Sequence, residues 1–277
     1  MHTCKNCGHQ FNGKYCNTCG EKVYTEKDRS FFHLFEEFFH FVSHFEGTLF
    51  TTVGTMVKHP GKFSADYCAG IRKKYFKPIS LFLLIVILYL LFPLFPGLNM
   101  PVNGHFGNDL YGRFAKLHTR QVFDQSHLTE EQFVSIYHDK SEKVSKFLLF
   151  IIIPFTALVS WLLTLRKRKY YFDQFIFSTE LNSFFILWMF ILFPAIYFSI
   201  SHIAAWFGMT IPFSDGLLAI ISYLFFTVYT FFAAKRFYSL KISQAIFFTL
   251  IFVLLQAAFI HYIYEFLLFI ISISLVH

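Results

Sequence analysis

Charge is scarce in this sequence. Only 15% of its 277 residues are charged, against about 25% in soluble globular domains. Hydrophobic residues make up 55% and aromatics 22%, with 42 Phe, and the mean hydropathy is +0.50. These values point away from a soluble domain and toward an integral membrane protein. The start of the chain lacks an apolar run with a small-residue cleavage site, so no signal peptide is expected. No Gly-rich phosphate loop, HExxH or GxSxG motif occurs, which removes the usual sequence grounds for an enzyme. The net charge is +7, yet there is no basic stripe with interleaved stacking residues, so nucleic acid is not favoured as a partner. The basic residues instead flank apolar runs, as the positive-inside rule predicts.

Cysteine is also rare: five in all, four of them in the stretch CKNCGHQFNGKYCNTCG and the fifth at Cys68. Cys4-x-x-Cys7 and Cys16-x-x-Cys19 are two knuckles, each followed by Gly (Gly8, Gly20), with Gly13 between them. In a reducing compartment such pairs are metal ligands rather than disulfides. Two CxxC turns give a closed tetrahedral Cys₄ site suited to structural Zn²⁺. A closed site has no open position for catalysis, and the metal supplies folding energy that so short a segment lacks. Residues 1–22 are therefore read as a zinc ribbon that docks or clamps, with the N-terminus in the cytoplasm.

Residues 23–30 form a polar linker, with Ser30 as a cap. In Phe31–Phe45 the Phe, Leu and Val residues fill one half of a helical wheel, and His33, Glu36, Glu37, His40, Ser43 and His44 fill the other. Such a division defines an amphipathic helix. It lies in the membrane interface or packs on the bundle, and the sequence leaves both open. A second short amphipathic helix is expected over Gly47–Lys58. Pro60-Gly61 then breaks the chain, and Lys62–Ala69 forms a helical turn or two ended by Gly70. These segments make residues 31–77 a cytoplasmic amphipathic region. Arg72, Lys73, Lys74 and Lys77 precede the first apolar run, where lipid headgroups attract them.

The ribbon, the linker and PGKFSADYCAGIRKKYFKP together resemble the bacterial membrane proteins grouped as domain of unknown function 3667. Their pattern, CxxC, CxxCG, then PGKF-x3-Y-x2-G-x-RKKY-x-KP, falls on Pro60, Gly61, Lys62, Phe63, Tyr67, Gly70, Arg72, Lys73, Lys74, Tyr75, Lys77 and Pro78. The resemblance implies a bacterial inner (cytoplasmic) membrane location and a multi-pass architecture. Members of that family often carry H-x5-H-x-H-S-F before the third span. Here Gln174, Glu180 and Asn182 stand at those places, so a histidine-borne role is not carried over.

Residues 78–277 read as an all-α transmembrane bundle of about five spans: Ile79–Phe95, Phe147–Leu165, Phe184–Phe207 with a kink at Pro194, Leu217–Ala234, and Ala245–Val276. The clusters Arg72–Lys77, Arg166, Lys167, Arg168 and Lys169, and Lys235–Lys241 place alternate loops in the cytoplasm. The C-terminus is then outside and residues 97–145 form an outer loop. In that loop Thr129 and Gln132 have capping-box spacing, and the helix they open is expected to run on into the second span.

Ionisable and amide groups within spans are functional candidates by default. They are His202, Gln256, His261 and Glu265, with Glu180 and Asn182 near the start of the third span. His261 and Glu265 share a helix face at i, i+4 and could relay protons or bind a cation, or could clamp helices together. Three functions follow from this reading. One is a non-enzymatic membrane scaffold or adaptor, with the ribbon binding a cytoplasmic protein. Another is a small transporter, possible as a homo-oligomer, using His261, Glu265 and Glu180. The third is an intramembrane lipid-modifying enzyme, which needs Glu180, His202 and His261 in one pocket.

Overall fold

A computed structural model describes residues 2–4, 7–19, 47–91, 98–165, 167, 170–208 and 215–276. The linker 23–30, the expected helix 31–45, and Gly20, Arg166, Arg168 and Lys169 lie outside the described residues. The chain divides into two units, Met1–Phe50 and Thr51–His277.

In the first unit, strands β1 (His2–Thr3) and β2 (Gln10–Phe11) pair antiparallel, His2 opposite Phe11 and Thr3 opposite Gln10. The turn between them closes when Cys4 N–H donates to the His9 carbonyl and Gly8 N–H to the Cys4 carbonyl, both at 2.9 Å. Gly8 adopts φ 73°, a left-handed conformation that costs glycine nothing. Phe11 packs with Cys4 and Cys16 as a small core.

The second unit is helical. Helix α1 (47–58), which belongs to this unit from Thr51 on, leads to the Pro60–Gly61 turn, followed by α2 (Lys62–Cys68) and α3 (Pro78–Leu91). A 3-10 helix (Val102–Gly107) and α4 (Gly112–Ser126) come next. Thr129 then opens α5 (Glu130–Thr164), a single 35-residue helix, through the capping box expected of it. The Thr129 hydroxyl accepts from Gln132 N–H, and the Gln132 side chain accepts from Thr129 N–H. Helix α6 (Tyr171–Ile186) continues through a π-helical turn (Leu187–Leu192) into α7 (Phe193–Trp206). The widened turn sits just before Pro194, whose ring nitrogen cannot donate to the preceding turn. Helix α8 (Asp215–Phe237) follows, then α9 (Ile242–Ala258), a second π-turn (Phe259–Tyr264) and α10 (Glu265–Ser274).

Three of these stretches are long and apolar enough to cross a membrane: Glu130–Thr164, Tyr171–Trp206 and Ile242–Ser274. Pro78–Tyr89 is a shorter apolar helix. The Tyr171–Trp206 stretch begins earlier than the expected Phe184. Residues 171–183 carry several polar side chains. Gln174, Ser178, Glu180 and Asn182 are nonetheless almost fully buried, and neighbouring helices supply hydrogen bonds to three of them.

Helix α5 packs along α6, α9 and α10, α3 packs on α6, and α8 packs on α9. The α5–α6 seam is built from small polar residues at four-residue steps, a spacing that lets helices approach closely in a membrane. Gln174 Nε2 donates to Thr164 Oγ1 at 3.2 Å, and Asn182 Nδ2 donates to Thr156 Oγ1 at 2.8 Å. The antiparallel register therefore brings Ser160 opposite Ser178. Both serines are fully buried, and neither hydroxyl meets a protein partner.

One end of the bundle is closed by residues of the expected outer loop. Val102, Tyr111, Ala115, Phe133 and Tyr137 form a core with Phe269, Ile273 and Val276. Helix α4 is a new feature here. Its Phe114 and Leu117 stay exposed, while Gly112 and Ala115 on it are buried. At the opposite end Arg236, the last turn of α8, meets the Pro60 carbonyl. The Arg72 guanidinium stands 5.9 Å from the Phe172 ring at the start of α6.

Candidate functional site

The PGKFS turn is pinned by a buried carboxylate. Glu180 is fully buried on α6. Its Oε1 accepts from Gly61 N–H at 2.8 Å and from the Tyr229 hydroxyl of α8 at 3.2 Å. Its Oε2 accepts from Ser64 N–H at 2.8 Å and from the Ser64 hydroxyl. Four donors from three residues, in the start of α2 and in α8, thus meet an acceptor-only group, the arrangement that makes carboxylate burial tolerable. Two of the donors are backbone amides at the start of α2, which have no acceptor within a helix.

The turn can reach Glu180 because residue 61 is glycine. Gly61 has φ 74°, and a Cβ there would lie 2.4 Å from the Ala233 carbonyl oxygen of α8. Arg236 donates to the Pro60 carbonyl at 2.6 Å. Phe63 is fully buried, with its ring edge-on to Tyr67 and Tyr75. The Tyr75 hydroxyl donates to Asp66 Oδ2 at 2.6 Å. Burial, and then the Asp66 carboxylate, push the Tyr75 phenol up to about 12, so it stays protonated and keeps donating. Arg72 lies 5.3 Å from the Tyr67 ring. Most of the motif is therefore an internal brace that fastens 60–76 onto α6 and α8. Lys62 pairs only loosely with Asp66, at 3.8 Å, and Lys73, Lys74 and Lys77 are exposed.

The remaining candidates fall into separate places. Asn182, two residues from Glu180, faces α5 and α9. It donates to Thr156 and to the Ser178 carbonyl, and it accepts from Gln256 Nε2 at 3.3 Å. Gln174 bonds Thr164 and the Tyr238 hydroxyl. His202 is exposed on α7. His261 and Glu265 meet at the other end of the bundle, Nδ1 to Oε2 at 3.3 Å, with His261 half exposed and Glu265 mostly buried. Asn108 joins them. Its Nδ2 donates to the His261 carbonyl at 3.0 Å and lies 3.5 Å from His261 Nε2. So Glu180, His202 and His261 do not share a pocket, whereas Asn182–Gln256 and His261–Glu265 are direct pairs.

Beside the second pair lies a buried imidazole that the sequence did not single out. His105 is fully buried. Its Nδ1 is 2.9 Å from the Tyr111 hydroxyl and its Nε2 is 3.0 Å from the Tyr137 hydroxyl. Burial lowers its pKa to about 4, so the ring is neutral at neutral pH, donating from one nitrogen and accepting at the other. Ser64, Tyr229, Asn108 and His105 escape sequence reasoning because each acts through a partner at least 30 residues away. Gly61 was legible only as the Pro60–Gly61 break and as a position of the family pattern.

The four cysteines of the first unit converge. Their sulfurs all lie within 4.8 Å of one another; Cys4–Cys19 is 3.4 Å and Cys7–Cys16 is 3.6 Å. With metal–sulfur bonds of about 2.3 Å, a tetrahedral site spaces its sulfurs about 3.8 Å apart. The set fits a single metal ion at the centre of four thiolates. Cys4 and Cys16 are buried, while Cys7 and Cys19 are exposed.

No curated protein and no solved structure matches the chain. Residues 46–90, which hold the clamped turn and α3, match the family described as Protein of unknown function (DUF3667), the family its motif resembles.

Proposed function

We propose that this protein is a membrane-anchored scaffold that presents a zinc-bound four-cysteine module to a cytoplasmic protein partner. The observation that carries the reading is the saturation of Glu180. The one fully buried carboxylate among the described residues is used up by Gly61, Ser64 and Tyr229, which suits a group that holds helices rather than one that moves a proton or an ion. In this reading Zn²⁺ fills the Cys4, Cys7, Cys16 and Cys19 site as a folding ligand. The bundle spans a bacterial inner membrane about five times, with the N-terminus in and the C-terminus out. Arg72, Lys73, Lys74, Lys77, Lys167 and their basic neighbours face anionic headgroups. The gathering of Arg72 and Arg236 at one end, and of the 102–126 elements with the C-terminal residues at the other, supports that orientation.

The test is photocrosslinking in living cells from position 15, where Tyr15 is exposed, with topology reporters at both ends. A discrete partner that disappears in a Cys4→Ser, Cys16→Ser variant is expected. The scaffold reading is abandoned if crosslinking is indifferent to the cysteines, or if the N-terminal reporter lies outside the cytoplasm.

A second reading, a small permease, draws on the half-exposed His261 beside Glu265 and Asn108. Cation or proton flux in vesicles that vanishes with Glu265→Gln would favour it over the scaffold.

A further inference from the structure

A groove of about 530 Å³ opens between the C-terminal end of α5 and the first turns of α9. One end of it is polar, with Lys167, Ser243 and Gln244; the other is apolar, with Leu162 and Phe247. Both apolar residues are more than half exposed. The two walls share one gradient: from Leu162 to Lys167 and from Phe247 to Ser243, each strand of the groove passes from hydrocarbon-like to polar toward the basic end of the bundle. That is the head-to-tail polarity of a phospholipid.

The start of α9 adds a charge argument. Helix N-termini prefer Ser, Thr, Asp or Asn as the cap, and they favour negative charge. Here the cap is Lys241, and no side chain caps the first-turn amides. An ammonium has no lone pair to accept from them. Gln244 Oε1 accepts from Lys241 N–H at 3.2 Å, which leaves the amides of the first turn still facing outward. Lys241 thus stands at the positive end of a 17-residue helix, beside the lining residue Leu240, and Lys167 lines the groove itself, a pairing that favours an anion.

We propose that this groove binds one anionic phospholipid, its phosphate between Lys167, Lys241 and the first turn of α9 and an acyl chain along Leu162 and Phe247. The site rests on the membrane reading of the bundle and not on the scaffold role. It goes beyond general headgroup attraction because it names a discrete groove, with Lys167 in its lining and Lys241 next in sequence to the lining residue Leu240.

The experiment uses the full chain carrying Phe247→Trp, reconstituted in vesicles with chain-brominated phosphatidylglycerol or chain-brominated phosphatidylcholine as a minority lipid. Quenching of the new tryptophan, taken as the difference from the unsubstituted protein, is expected to be stronger with the anionic lipid. Lys167→Gln with Lys241→Gln should remove the preference. Each lysine contributes roughly a fivefold factor near an anionic headgroup, so the pair should weaken it about thirtyfold. Arg120→Gln, an exposed cation on α4, should leave it unchanged. Equal quenching by both lipids, unaffected by the lysine changes, overturns the headgroup site and leaves the membrane reading intact. Absence of quenching by either lipid overturns the site and the lipid-facing assignment of this face together, as when residues of the chain itself or a second copy fill the groove. If inorganic phosphate abolishes the preference at low millimolar concentration, the groove is a free-phosphate site and the lipid assignment fails.

Discussion

Replacing Glu180 by Gln keeps the shape of the side chain and removes one acceptor. Its two carboxylate oxygens each take one backbone amide and one hydroxyl: Gly61 N–H with Tyr229 on one, Ser64 N–H with Ser64 Oγ on the other. A hydroxyl can turn and accept from the new amide group. A backbone N–H cannot. Whichever way the Gln is oriented, one buried N–H therefore faces an NH₂ group and loses its partner, at a cost of about 1–3 kcal/mol. Glu180→Ala orphans both amides and leaves a cavity, so its cost should be about 2–6 kcal/mol before the cavity is counted. For a chain of this size, roughly 2–4 °C in Tm accompanies each kcal/mol. Glu180→Gln should thus lower the Tm of the detergent-solubilised protein by several degrees, and Glu180→Ala on the order of 10 °C. A local readout accompanies the global one. Tryptic cleavage at Lys58 and Lys62, which flank the turn, should quicken in the same order. If Glu180→Gln melts and is cleaved like the unsubstituted protein, the carboxylate is not what holds the turn, and the scaffold reading loses its support.

Four further outcomes are expected. Gly61→Ala must adopt a left-handed φ, costing about 1–2 kcal/mol, and push its Cβ against the Ala233 carbonyl; the turn should detach, with a Tm loss at least as large as that of Glu180→Gln. Purified protein should carry one zinc per chain by elemental analysis. Cys4→Ser with Cys19→Ser should abolish it while circular dichroism of the helical bundle is unchanged. His105 titrates in the acidic range: its folded pKa of about 4 lies below the unfolded value of about 6.5. Below pH 6.5 the unfolded chain binds a proton that the folded chain refuses, so stability falls as pH drops from 6.5 to 4, by about 2 kcal/mol at pH 5; the His105→Gln variant should lack this part of the pH dependence in thermal melts. In the α5–α6 seam, Ser160→Ala together with Ser178→Ala removes two hydroxyls that have no protein partner and should change Tm little. Asn182→Ala removes three hydrogen bonds, each worth about 0.6 kcal/mol in a membrane bundle, and should lower Tm by several degrees.

The sequence by itself determined the features that depend on local spacing. CxxC pairs bring thiolates together within a few residues, so the four-cysteine centre was legible without coordinates. Thr129 and Gln132 close a capping box within one helical turn, and the helix behind them runs unbroken, as expected. Apolar length announced the membrane-like helices. The family motif over 60–78 was recognisable as a string, but its purpose was not. Only the tertiary structure decided that Gly61 presses on Ala233, that Ser64 and Tyr229 share Glu180, and that Lys167 and the first turn of α9 line one groove. The same holds for the early start of α6. Gln174, Glu180 and Asn182 look too polar for a bundle when read along the chain, because hydropathy counts what a residue costs alone. Donors and acceptors from α2, α5, α8 and α9 offset that cost, and they come from positions up to 119 residues away. Local pattern fixes where helices form. Which polar groups meet is settled by packing, since a hydrogen bond in a low-dielectric interior depends on distance in space and not on spacing in sequence.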